Sequence, residues 1–315
     1  MTPGKAYLTS EEIRSLAARS DLWGIALLVH CWAVILGSVV LFHLWPNPLS
    51  FVLAVMVVGS RQLGLAILMH DAAHNALFKT RSWNAFAGEW LCGRPILADL
   101  PDYRRYHLAH HRHTQTEDDP DLRLSRPFPT TRASLRRKLI RDITGQTGLK
   151  QRAAQIAFAI KMAGDVDGQA SSQDLAQAFS GPVIGRALFA NGVVFVVFWM
   201  LGTWWSWLAF WVLPLLTWFQ LVLRIRNIAE HGAVEFSDNP LQNTRTTRAG
   251  PIARAFFAPY WVNYHLEHHL IMHIPCRNLP QLHQMMREKG HTARMQIARS
   301  YWDVLKIASA RPETP

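Results

Sequence analysis

Eight of the chain's fifteen histidines fall into three tight clusters, His70-Asp-Ala-Ala-His74, His107-Leu-Ala-His110-His111 and His265-Leu-Glu-His268-His269. A ninth closes the segment Asn227-Ile-Ala-Glu-His231. Spacings of three and four place side chains on one face of a helix, so each cluster presents two or three imidazoles in one direction. Neutral imidazole is the commonest metal ligand among protein side chains. Nine such groups exceed what one tetrahedral zinc takes, so the arithmetic points to two metals. A lone HxxxH at a helix end is ordinarily a coincidental surface pair; two HxxHH boxes together with an HxxxH and an NxxxH are not explained that way. An all-imidazole set suits Zn, Cu, Fe or Ni, which leaves the metal open. Metal-bound rings generally donate their second N–H to a carboxylate or carbonyl. Asp71, Glu230, Glu267 and the run Asp118-Asp119-Pro120-Asp121 are at hand for this.

Such clusters need elements long enough to carry them to one place. No charged residue occurs between Asp21 and Arg61, and none between Arg186 and Arg224. Each stretch is nearly twice the roughly 20 residues that cross a bilayer. Each is broken near its middle by turn chemistry, Trp45-Pro46-Asn47-Pro48 in the first and Gly202-Thr203-Trp204-Trp205 in the second. The pattern predicts an all-α membrane protein with four spanning helices in two hairpins, at about 22–44, 49–69, 186–202 and 205–225. The second and fourth helices should continue beyond the bilayer, carrying His70 and His74, then Asn227 and His231, out of the apolar layer. All Lys and Arg except Arg61 lie in the N-terminal segment, the central region between the hairpins, or the C-terminal region with its approach, and the two short turns carry none. By the positive-inside rule the turns face outward, and residues 1–21, 70–185 and 226–315 form a cytoplasmic helical cap. One domain over residues 1–315 is expected, with the first apolar run retained as an anchor because it is too long for a signal-peptide core.

The net charge of +11 is then accounted for by anionic headgroups facing arginines such as Arg136, Arg137 and Arg141, and no nucleic-acid motif accompanies it. Cys31, Cys92 and Cys276 form no CxxC pair and suggest no disulfide framework. Thr9-Ser10-Glu11-Glu12 reads as a helix start and Leu279 to Met286 as an amphipathic surface helix. Arg61 points away from His70 by helical phase and is expected to be packed, and His30 to bond a neighbouring helix. His283 is read as a surface residue. For Trp207, Phe210, Trp211, Trp218 and Phe219 on the fourth span, a tunnel lining and ordinary packing are both open.

The ordered set HxxxH, HxxHH, HxxHH, with apolar hairpins before the first box and between the second and third, resembles the membrane-bound fatty acid desaturase and hydroxylase family. Met69-His-Asp-Ala-Ala-His74, His107-Leu-Ala-His-His-Arg-His-Thr114 and Asn263-Tyr-His-Leu-Glu-His-His269 look like that family's boxes. The resemblance implies a non-haem di-iron centre that uses O2 and two electrons to attack an unactivated C–H bond. The nine histidines would be the iron ligands and Asn227 would hold a metal-bound water. It further implies a lipid or acyl-chain substrate taken from the bilayer. No His-Pro-Gly-Gly haem motif occurs, so the electrons are expected from a separate carrier of ferredoxin or cytochrome type. The HxxxH spacing of the first box is that of acyl-lipid desaturases, carotenoid ketolases and related hydroxylases. The leading expectation is an acyl-lipid desaturase. Its rivals are a hydroxylase or ketolase of a carotenoid, alkane or other lipophile on the same site and, more remotely, a membrane zinc hydrolase, which would leave six clustered histidines without a role.

Overall fold

The computed structural model describes residues 3–164 and 181–311. It is helical almost throughout. Helix α1 (Asp21–Leu44) starts at Ser20, whose side chain accepts the Trp23 N–H. Helix α2 (Pro48–Ala73) starts at Asn47, which forms a reciprocal cap with Ser50, and Pro48 supplies a first-turn residue that needs no N–H partner. The outer half of α2 is partly exposed, but from Gly59 to Ala73 nearly every side chain is buried. Helix α3 (Leu100–His113) is capped by Asp99, whose carboxylate accepts the Asp102 N–H. Helix α4 (Gly181–Leu201) pairs with α5, which runs from Trp205 to His231. Pro214 lacks the N–H that would continue the ladder, and α5 accordingly holds a π-turn over Leu208–Val212 and a break at Thr217. Helix α6 (His265–Leu270) and helix α7 (Leu279–Glu288) follow.

Three of these helices, α1, α2 and α5, are long and apolar enough to cross a membrane, and Gly185–Leu201 of α4 is a shorter apolar helix. All four carry exposed large apolar side chains, among them Leu22, Val52, Leu188 and Leu208, as expected of faces that meet lipid. The helices α2 and α5 continue past the predicted span ends at 69 and 225, to Ala73 and His231.

Between α2 and α3 the chain forms a helix at Arg81–Phe86, a π-turn at Ala87–Gly93 and a 3-10 turn at Arg94–Ile96. Arg94 is fully buried between Glu89 and Asp99. Its carbonyl accepts from Asn191 Nδ2, whose Oδ1 takes the Trp211 indole N–H. That chain of bonds ties the cap of α3 to α4 and α5. The N-terminal helix Ser10–Leu16 has the expected capping box of Thr9 and Glu12. The basic region contributes helices Arg132–Ile143 and Gln146–Gly164, the first joined to α5 by Asp142 and Arg224. Gly164 and Gly168 mark a break in the sequence that lies mostly outside the described residues.

The all-α expectation missed one small feature. Strands β1 (Thr246–Thr247) and β2 (Ile297–Ala298) pair in parallel, two residues each and therefore without a readable period. Two of the aromatic residues of α5 pack in the core. Phe210 and Trp211 are fully buried, with Trp211 stacked on Trp32 and Phe210 against Phe42, and the Trp218 N–H donates to Ser60 Oγ. Arg61 is buried, donates to the Ala255 carbonyl at 2.5 Å and lies over the Tyr260 ring. The partner of His30 is the Tyr260 hydroxyl at 3.1 Å, in the turn before α6 rather than on a spanning helix.

Candidate metal centre

The nine histidines singled out by spacing meet in two adjoining groups. His70, His74, His107, His111 and His268 form one, and His110, His231, His265 and His269 form the other. Within each group one donor atom per residue lies within 4.8 Å of all the others. Helical geometry dictates the division. In α3 the i, i+4 pair His107 and His111 goes to the five-histidine group while His110, three residues after the first, goes to the four-histidine group. In α6 the pair His265 and His269 goes to the four-histidine group and His268 to the other. The long helices do not divide: α2 serves only the first group and α5 only the second. The rings of His111 and His269, one from each group, stack at 4.2 Å between centroids.

The ring nitrogens converge as donors to cations would. His231 Nε2 lies 3.2 Å from His110 Nε2 and 2.7 Å from His265 Nε2. His111 Nε2 lies 2.9 Å from both His107 Nε2 and His268 Nε2. Two such nitrogens cannot both carry hydrogen at these separations, so at least one of each pair presents a lone pair. His70 Nε2, His74 Nε2, His231 Nδ1 and His269 Nε2 are buried without a hydrogen-bond partner among the described residues. Buried polar atoms in folded proteins are rarely left so. The donor set therefore fits a pair of metal ions.

Electrostatics agree. Burial, followed by the charges of Arg104 and His273, pushes the His74 imidazole down to about 3. Burial and neighbouring imidazoles hold His107, His111, His265, His268 and His269 well below the ordinary value. These rings are neutral at physiological pH, the form that ligates. For His110, burial opposes charge, but the hydrogen bond to Asp119 and the charges of Asp121 and Asp119 outweigh it and raise the value.

Carboxylate oxygens lie beside several of the rings. Asp71 Oδ1 lies 3.7 Å from His70 Nδ1, and Glu230 Oε2 lies 3.5 Å from His265 Nδ1. From the acidic run, Asp119 Oδ1 lies 2.8 Å from His110 Nδ1, and the same carboxylate accepts the backbone N–H groups of Gln115 and Asp121. Glu267 departs from expectation. Fully buried, it is bound by Thr246 Oγ1 of β1 and by His283 Nδ1 of α7 at 2.5 Å, so it braces α6 rather than a clustered ring. The reading of His283 as a surface residue is thereby corrected: it is half-buried and holds a buried carboxylate. Sequence reasoning missed Thr114, whose hydroxyl lies 3.2 Å from His269 Nδ1, and Tyr103, stacked on His107 at 5.2 Å. Only their proximity to the second box signalled either one. Asn227 stands one turn before His231, half-buried, its Oδ1 accepting from Arg226 Nη1 at 3.3 Å.

Two cavities adjoin the centre. One of about 10 Å³ touches His70 and His268 of the first group and His265 of the second, with Ile67, Val262 and Tyr260 among its walls. Tyr260 and Trp261 hold left-handed backbone (φ 52° and 58°) without being glycine, a costly conformation of the kind that gathers at functional sites. The other, about 230 Å³, lies behind His231 between Gln115, Arg126, Phe128 and Phe236.

A protein-family model described as fatty acid desaturase matches residues 44–300. The chain is 26% identical over 234 residues to the dihydrorhizobitoxine desaturase of Bradyrhizobium elkanii, covering 71% of this chain and 64% of that protein. It is 31% identical over 103 residues to the beta-carotene ketolase of Paracoccus sp. (strain PC1), covering 31% of this chain and 41% of that protein. The matched regions thus span less than two thirds of either relative's length.

Proposed function

Because the chain belongs to the fatty acid desaturase family, we propose that it is a membrane-bound, O2-dependent di-iron oxidoreductase that introduces a double bond into a lipid acyl chain. The observation that carries this reading is the assembly of nine histidines into two adjoining donor groups beside a small cavity walled in part by Ile67, Val262 and Leu279. Two iron ions would be held by His70, His74, His107, His111 and His268 on one side and by His110, His231, His265 and His269 on the other, with Asn227 at the margin of the second. When bound, they supply O2 activation and abstraction of hydrogen from an unactivated carbon.

The chain's own part is positioning and exclusion of water. Asp119 accepts from His110 Nδ1 and so keeps Nε2 free for the metal; Thr114 does the corresponding work at His269. Ile67, Val262 and Tyr260 wall the cavity that touches ligands of both groups, so a C–H bond presented there meets an apolar, water-poor surface. With α1, α2 and α5 crossing the bilayer and α4 as the fourth span, the centre would lie at the cytoplasmic margin, a reading supported by the Lys and Arg residues of the segments that flank it. Two electrons come from a separate ferredoxin- or cytochrome-type carrier.

Similarity to a ketolase favours one second reading: the same centre hydroxylates or ketolates a lipophile. Mass spectrometry of lipids from cells expressing this chain, beside cells expressing His268→Ala, separates the two. A product lacking two hydrogens, absent from the variant, is the expected result. A product that gains oxygen moves the assignment to hydroxylase or ketolase, and the same product profile from His268→Ala would remove the metal-centre assignment.

A further inference from the structure

The two helices that each serve a single metal group end in the same device. A helix leaves its last four carbonyls without intrahelical partners, and in α5 those belong to Ile228, Ala229, Glu230 and His231. The Ile228 carbonyl takes the Gly232 N–H. The remaining carbonyls, and two beyond them, are met from outside. Arg245, buried, donates Nη1 to the Gly232 carbonyl at 2.9 Å and at longer range to those of Ile228 at 3.3 Å and Ala229 at 3.5 Å, and Nη2 to Ala233 at 2.9 Å. Its backbone N–H takes the Glu230 carbonyl at 2.9 Å, and Gln115 Nε2 takes that of His231 at 3.3 Å. In α2 the corresponding residue is Arg104, from the first turns of α3. It donates Nε to the Ala73 carbonyl at 2.7 Å and Nη2 to the Ala72 carbonyl at 3.0 Å. Each guanidinium is a cation against the negative end of a helix, and its fork fixes the direction of the carbonyls it spans. The turn so fixed is the one that carries the ligands: His231 in α5, His70 and His74 in α2.

We infer that Arg245 and Arg104 are positioning residues, one for each metal group: Arg245 sets His231 in the four-histidine group, and Arg104 sets His70 and His74 in the five-histidine group. The inference rests on the dimetal reading above and adds a division of labour. Neither arginine need touch a metal. Each acts by holding the terminal turn of a helix, and because α2 and α5 are not shared between groups, the effect of each stays with one group.

The test is anaerobic Fe(II) titration of the full chain in detergent, with metal counted per chain, for wild type, Arg245→Ala and Arg104→Ala. Loss of a group that orients a ligand typically costs roughly 10–100-fold in metal affinity. Each variant should keep one site at wild-type affinity and weaken the other by about that factor. In a His231→Ala background Arg245→Ala should cost the four-histidine group nothing further, whereas in a His74→Ala background it should cost its full factor; Arg104→Ala should be silent at the five-histidine group where His70 and His74 are both already changed, and keep its full effect beside His231→Ala. Arg→Lys variants, which keep the charge but not the fork, provide folded protein if an alanine form does not insert, and should recover part of the affinity. Two wild-type sites in both variants, or equal weakening of both sites in either, would overturn the inference. A wild-type chain that takes up fewer than two Fe(II) would instead overturn the dimetal reading, and this inference with it.

Discussion

Glu267 sits between two clustered histidines in sequence, His265 and His268, yet its carboxylate bonds to neither. Its carboxylate is fully buried and is held only by His283 and Thr246 among the described hydrogen bonds. Removing one partner of a buried carboxylate leaves a charge with part of its bonding missing, at a cost of about 1–3 kcal/mol. His283→Ala should therefore lower the melting temperature of the detergent-solubilised protein by several degrees, and His283→Gln, which keeps a donor, should recover part of it. An unchanged melting temperature for His283→Ala would show that the contact contributes nothing. The histidine clusters were legible in the sequence because their partners are three and four residues away on one helix. The His283 contact was not, because the fold brings it to Glu267 from across the turn that links α6 and α7. Asp119 lay between these extremes: the acidic run was visible as a source of carboxylates, but which ring it meets depends on how the chain doubles back after α3.

At the scale of elements, the distance between the two metal groups depends on how closely α5 approaches α2. Gly59 sets that approach. A Cβ at this position would lie 2.9 Å from Trp218 Cδ1 and 3.1 Å from the Phe219 backbone nitrogen, closer than packed atoms tolerate. Gly59→Leu should push α5 away from α2 and carry His231 off the first group; the expected result is a fall in bound iron per chain, read by elemental analysis, with the chain still inserted in membranes. Full iron content would show that the helices adjust elsewhere. The long apolar helices α1, α2 and α5 were legible because uncharged runs of that length suit a bilayer-crossing helix. The interruptions were less so. Pro214 marks a disturbance, but whether α5 stops, kinks or forms a π-turn is decided by neighbours such as Ser60 and Gln220. The left-handed turn at Tyr260 and Trp261 left no sign at all, since neither residue is glycine.

The molecule as a whole stores its imidazoles in neutral form, and this makes its stability depend on pH. The rings of His74, His107, His111, His265, His268 and His269 have lowered values in the fold. In the unfolded chain each takes up a proton near the ordinary value of 6.5. The stabilisation is thus fully present above pH 6.5 and is lost as pH falls toward the folded value, about 3 for His74. Between those values His74 alone contributes about 1.4 kcal/mol per pH unit. His110, whose value is raised, runs the opposite way. Metal-free protein should lose melting temperature steeply below pH 6.5, and bound metal should protect it until protons displace the metal. A flat profile would contradict the neutral, buried state of these rings.

The sharing of α3 and α6 between the two groups also bears on descent. A lineage that eroded either helix would lose ligands from both groups at once and retain a working version of neither. Only α2 and α5 are dedicated to one group, so losing the end of either helix strips one group and leaves the other its full set of histidines, whereas losing α3 or α6 strips both.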